Sequence, residues 1–121
     1  DRADIVIVSL HWGEEYKTSP VAEERDIARA FIDAGADLVI GHHPHVVQEV
    51  ERYVPIADAQ RVGYIAYSLG NFIFDQNFSK ETTEGLMLEV TLKDKKIQSV
   101  QKIPITINET FQPQVVNELI G

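Results

Sequence analysis

Residues 35–45 read GADLVIGHHPH. Asp37–Ile40 is a short apolar run between Gly35 and Gly41, too short for a helix and composed like a buried strand. Three histidines follow within four residues, at His42, His43 and His45. Upstream, Asp4–Leu10 (DIVIVSL) repeats the arrangement. Ile5–Val8 is β-branched or branched throughout, which predicts a strand buried on both faces, and His11, Trp12 and Gly13 come directly after it. The segment between the two runs has helical spacing. Ser19 suits an N-cap, Pro20 the first helical position, and Glu23 and Glu24 the positive end of the helix dipole. Ile27, Ala28, Phe31 and Ile32 fall on one apolar stripe, and Gly35 closes the helix. Strand, helix and strand at this spacing form a parallel crossover, so the fold class is α/β.

Downstream the pattern changes. Val46–Val54 is extended but ambiguous, and Pro55 and Asp58 interrupt it. Val62–Tyr67 is a further strand that ends in SLGNF. Leu86–Leu92 alternates, with Leu86, Leu88, Val90 and Leu92 on one face. Lys93–Lys96 is a charged turn and Ile97–Ile105 pairs back as a hairpin. The tail from Phe111 to Gly121 carries little pattern.

The chemistry sits after the strands. In open α/β sheets ligands gather beyond the carboxyl ends of the strands, where both histidine clusters lie. His43 and His45 are two apart, so an extended backbone would point both rings one way, with His42 facing the other. Two such imidazoles and His11, brought together by the crossover, make three nitrogen ligands, enough for one zinc with an open position for water. A surface histidine cluster without function is the bland alternative. Glu14 and Glu15, close behind His11, and Asn71 and Asp75, behind the third strand, are candidates for the rim or for orienting a histidine. Trp12, Tyr16, Phe72 and Phe74 either wall a pocket or fill a core.

The 121 residues suffice for one small domain, and 44% hydrophobic content supports a core. With no cysteine, disulfides and cysteine-ligated metal sites are excluded. The net charge of -8 argues against nucleic acid as the main partner. Residues 1–60 hold 12 of the acids, against 5 Lys and Arg, together with all four histidines, so the general field there favours cations. No apolar run approaches the roughly 20 residues of a membrane helix.

Three motifs, HWGEEY at 11–16, GADLVIGHHPHVVQEVE at 35–51 and YSLGNFIFDQ at 67–76, resemble the CapA family, the bacterial poly-gamma-glutamate capsule synthesis proteins, within the calcineurin-like metallophosphoesterase superfamily. The resemblance runs from Asp4 to about Pro113. It implies that residues 1–121 are the C-terminal half of a four-layer α/β/β/α metallophosphoesterase-like sandwich, whose missing N-terminal half supplies bridging aspartates and an Asn-His pair. It also implies divalent metal (Mn, Zn or Fe), one at best on this chain alone and two in the complete domain. His11 matches the first late metal histidine. GHHPH is one residue longer than the family superfamily's Gly-His-x-His element, which leaves His42 or His43 open as the ligand beside His45. The implied setting is the extracytoplasmic face of the cell envelope, anchored through a region outside this chain, with an anionic polymer or a phosphoester as substrate.

Three functions follow as expectations. One is the metal-binding part of a capsule biosynthesis or export protein that hydrolyses phosphoesters when complete. Another is a non-catalytic polymer-handling or structural envelope module. A third is a small mononuclear zinc hydrolase.

Overall fold

A computed structural model describes residues 2–116. Its first sheet has four strands, β1 (Ile7–His11), β2 (Leu38–His42), β3 (Val50–Tyr53) and β4 (Gly63–Ala66), in the order β1-β2-β4-β3. β1, β2 and β4 are parallel, and β3 runs antiparallel to β4. The helix α1 (Ala22–Asp33) forms the crossover between β1 and β2. The second sheet is an antiparallel meander of β5 (Glu84–Lys93), β6 (Lys96–Ile107) and β7 (Pro113–Val115). Isolated bridges pair Val47 with Leu69 and Gly70 with Gly85, so the chain passes from one sheet to the other through the segment after β4. No helix among the described residues is long and apolar enough to cross a membrane.

The core lies between α1 and one face of the first sheet. Val8, Val39, Ile65 and Glu51 sit side by side in register across β1, β2, β4 and β3. Ala28 and Ile32 of α1 are fully buried against Val39, Ile65 and Tyr67. Gly63 leaves room for Ile32, because a Cβ there would lie 2.6 Å from its Cγ2. The helix is one or two residues shorter at its start than Ser19 and Pro20 suggest. Val21 occupies the N-cap, and since a valine side chain cannot cap, Glu24 supplies the contact by accepting the Val21 N–H at 3.0 Å. That bond draws Glu24 inward, so Glu24 is buried and Ile27, expected on the apolar stripe, is exposed. At the other end Gly35 takes φ 122, with Gly35 N–H on Ile32 O and Ala36 N–H on Phe31 O, the paired bonds of a Schellman ending. No basic residue stands in the last turn of α1, and Arg61 reaches over from the β3–β4 loop to donate to Ile32 O and Ala36 O.

Two further expectations need correction, and two segments left open are resolved. β1 is an edge strand, not one buried on both faces; Ile7 is 56% exposed, because the crossover places β2 and β4 in the middle. Leu92 leaves the apolar face of β5 because the β5–β6 register shifts between Thr91 and Leu92. The ambiguous stretch contains β3 at its end. The tail supplies β7, since a strand of three residues is too short to show alternation; residues 117–121 lie outside the described part. The charged turn is as expected: Asp94 and Lys95 have φ 53 and 64, the pair of positive angles that a two-residue hairpin requires.

α1 is also tied to the sheet by charge. Arg29 donates to Glu51 at 2.7 Å and Tyr67 Oη donates to the same carboxylate at 2.6 Å, while Arg25 pairs with Glu49 and lies over the Tyr67 ring. Burial works to raise the Glu51 carboxyl, but the Arg29 and Tyr67 hydrogen bonds outweigh it and its pKa is lowered. A depressed carboxylate contributes stability above the ordinary glutamate pKa of about 4.3 and loses it as pH falls through its folded value. Glu51→Gln should therefore lower the urea midpoint at neutral pH and flatten its decline below about pH 4–5, and identical acid limbs would refute this role. Ile32→Ala should cost about 2–5 kcal/mol in the same urea titration, through the lost contact and the cavity left beside Gly63.

Candidate functional site

β1, β2 and β4 end at one edge of the sheet, so the segments that follow them emerge together. Backbone bonds then interlock them. Trp12 N–H donates to His42 O at 3.0 Å, Tyr16 N–H to Pro44 O at 2.8 Å, and Leu69 N–H to Gly41 O at 3.2 Å. The Gln48 amide donates to Lys17 O at 2.8 Å and holds the loop after Tyr16. The Trp12 indole N–H donates to Tyr67 O at 3.1 Å, with the two rings stacked at 6.2 Å. That bond crosses over Gly41, where a Cβ would overlap both the Tyr67 carbonyl oxygen and the indole nitrogen. Glycine is needed at 41 for this close approach and not for an unusual φ.

The histidines converge from two strand ends. The His11 ring lies 4.6 Å from that of His43, centroid to centroid, and His43 lies 5.9 Å from His45. The backbone between them is not extended, as the two-residue spacing had suggested. His43 has φ 103 and His45 φ 63, both positive, and the rings approach because the chain turns at Pro44, which is buried. Each such angle costs of order 1–3 kcal/mol on a residue other than glycine and persists only where the surroundings impose it. Here the Tyr16 bond to Pro44 O and the packing of Pro44 do so. His42 is the register partner of His11 and shares its face of the sheet, while the ring resting on His11 is that of His43.

The rim candidates divide. Asn71 is buried, and its Oδ1 lies 3.0 Å from His45 Nδ1. Its amide nitrogen donates to Thr82 O at 3.0 Å and to Gln76 Oε1 at 3.1 Å. Gln76 in turn donates to Tyr16 Oη at 3.1 Å. Glu14, Glu15 and Asp75 are exposed, and Glu14 approaches Lys17 at 4.0 Å. Trp12 packs on the core, whereas Tyr16, Phe72 and Phe74 are exposed. Tyr16 and Phe74 flank His45 at 6.0 and 5.2 Å, and Phe78 meets Tyr16 edge-on at 5.0 Å. Phe78 and Thr82 carry no signal in residue type or spacing that would have marked them, and Gln76 stood out only as the last residue of the 67–76 motif. Glu24 lies behind the loops; its Oε2 has no hydrogen-bond partner among the described residues and faces Gly13, where a Cβ would lie 2.7 Å away. No group of three among His, Cys, Asp and Glu in the described residues has the arrangement of a metal site.

The model of the bacterial capsule synthesis protein PGA_cap family matches residues 1–76, a span that contains all three interlocked segments. The chain belongs to this family. Among curated relatives, the PGA_cap chain is 38% identical to the capsule biosynthesis protein CapA of Bacillus anthracis over 117 residues, 97% of this chain and 26% of that one. It is 42% identical to the PGA biosynthesis protein CapA of Bacillus subtilis (strain 168) over 107 residues, 88% of this chain and 26% of that one. A probable polyglutamine synthesis accessory protein of Mycobacterium tuberculosis is 29% identical over 112 residues, 87% of this chain and 28% of that one. The chain thus spans about a quarter of the length of these relatives.

Trp12 is the chain's one tryptophan, so its emission reports on the crossing point. Gly41→Ala should force the indole off Tyr67 O, red-shift that emission and cost upward of about 1–3 kcal/mol from the orphaned carbonyl. An unchanged spectrum and urea midpoint would refute the close-approach account.

Proposed function

We propose that this chain carries the histidine part of a divalent-metal centre in a capsule-biosynthesis protein of the cell envelope, and that the complete centre hydrolyses a phosphoester. The observation that carries the reading is the approach of His11, from the end of β1, to His43, which follows β2 and in turn neighbours His45. Two segments far apart in sequence bring their imidazoles together on strained backbone, as functional sites do.

By chemical type the three imidazoles suit one borderline cation such as zinc, manganese or iron, although their rings do not stand in a metal-site arrangement among the described residues. They do not suit two, because three neutral imidazoles offer no bridging carboxylate to offset the repulsion between two dications. The second metal and the bridging acids are therefore assigned to the part of a longer protein that forms a four-layer metallophosphoesterase-like sandwich with this C-terminal half. Bound metal supplies Lewis-acid polarisation of a phosphoryl oxygen and a water that ionises near neutral pH. His11, His43 and His45 would hold it, with His42 beside them on β2. Tyr16 and Phe74 flank His45, and Asn71 fixes that ring.

The names of the Bacillus relatives support the capsule assignment, and an envelope location follows from it. A polyglutamate chain is anionic and this chain has a formal charge of -8, so a phosphoester at the metal suits these residues better than direct grip on the polymer. Calorimetric titration with zinc or manganese tests the reading. The wild-type protein should bind, and His11→Ala and His43→Ala should each weaken binding at least about tenfold. No uptake at micromolar metal, or affinity unchanged by both substitutions, would overturn it.

A further inference from the structure

We infer that Asn71 is a positioning residue that fixes the tautomer of His45, placing the ring proton on Nδ1 and leaving the Nε2 lone pair free. The deduction starts at Thr82. Its backbone carbonyl oxygen can only accept a hydrogen bond, so the Asn71 atom 3.0 Å away must be the amide nitrogen. The second hydrogen of that nitrogen goes to Gln76 Oε1 at 3.1 Å. The remaining Asn71 atom, Oδ1, has no hydrogen to give, and it lies 3.0 Å from His45 Nδ1. A hydrogen bond there requires the proton on Nδ1, and in the neutral ring Nε2 is then the bare nitrogen.

The arrangement is built to hold. Asn71 is only 6% exposed, both its side-chain N–H groups and its side-chain oxygen have partners, and its main anchor is a backbone atom within the 3₁₀ turn Glu81–Thr83, just before β5. Thr82 is itself fully buried and its hydroxyl donates to Ser79 O at 2.9 Å. The turn that leads into the second sheet thus determines, through one amide, which nitrogen of a histidine beyond β2 can act as a Lewis base. Free histidine in water prefers the other tautomer, with the proton on Nε2, so the protein works against the intrinsic preference. The inference deepens the metal reading by assigning Nε2 as the His45 donor, but the tautomer itself needs no metal.

The test is nitrogen-15 NMR of the histidine rings in the metal-free protein at alkaline pH. Wild-type His45 should show a protonated Nδ1 and an unprotonated Nε2, and a ring protonated at Nε2 would overturn the inference without any variant. Asn71→Ala should move His45 toward the Nε2-protonated form. A tautomer unchanged in Asn71→Ala would also overturn it. Should Asn71→Ala not fold, the wild-type spectrum decides by the same criterion. Zinc titration is the separate second readout: Asn71→Ala should bind about 10–100-fold more weakly. A wild-type protein with the expected tautomer and no zinc binding would remove the metal reading and leave this one standing.

Discussion

The Trp12 indole bond to the Tyr67 carbonyl, made across the bare Cα of Gly41, is the contact on which the site depends. Each of its three members belongs to a different strand end. Trp12 follows β1, Gly41 lies in β2 and Tyr67 follows β4. The contact therefore fixes how far each segment runs before it turns, and the histidines that come next inherit those positions. Tyr67 also carries the tie to the other face of the core, through its hydroxyl on Glu51 and Arg25 over its ring. One residue thus couples the helix face of the sheet to the histidine edge.

Much of the first sheet was legible in the sequence because its signals are local. The β-branched runs, the polar helix face and Gly35 each state their role within a few residues, and the parallel crossover follows from their order. The errors came where a neighbour outvoted local preference. Ile27 yielded its inward place to Glu24 because the Val21 N–H needed an acceptor. β1 reads as a central strand but lies at an edge, which depends on the strand order and not on β1 itself. β7 is too short to announce itself.

The site was legible in part for the same reason. That His11, His43 and His45 lie near one another followed from strand ends and crossover length. How they do so did not, because the positive φ angles at His43 and His45 are imposed by Pro44 and by the Tyr16 bond, neither of which spacing encodes. Asn71 stood out as a polar residue behind a strand, but its meeting with Gln76 and Thr82 depends on how residues 72–82 fold back, which no spacing encodes. Glu14, Glu15 and Asp75 resemble site residues by proximity in sequence, yet they face solvent.

β1 has a consequence for the behaviour of the molecule in solution. As the outermost strand of its sheet it leaves one row of backbone N–H and C=O groups without a strand partner among the described residues, next to the exposed side chains of Val6 and Ile7. Its run from Ile5 to Leu10 contains no lysine and no proline, the residues with which proteins usually guard such an edge. Any extended segment that arrives alongside, from the same polypeptide or from another, meets a template already set in strand geometry. The open row of β1 is thus a place where strand pairing between copies can begin.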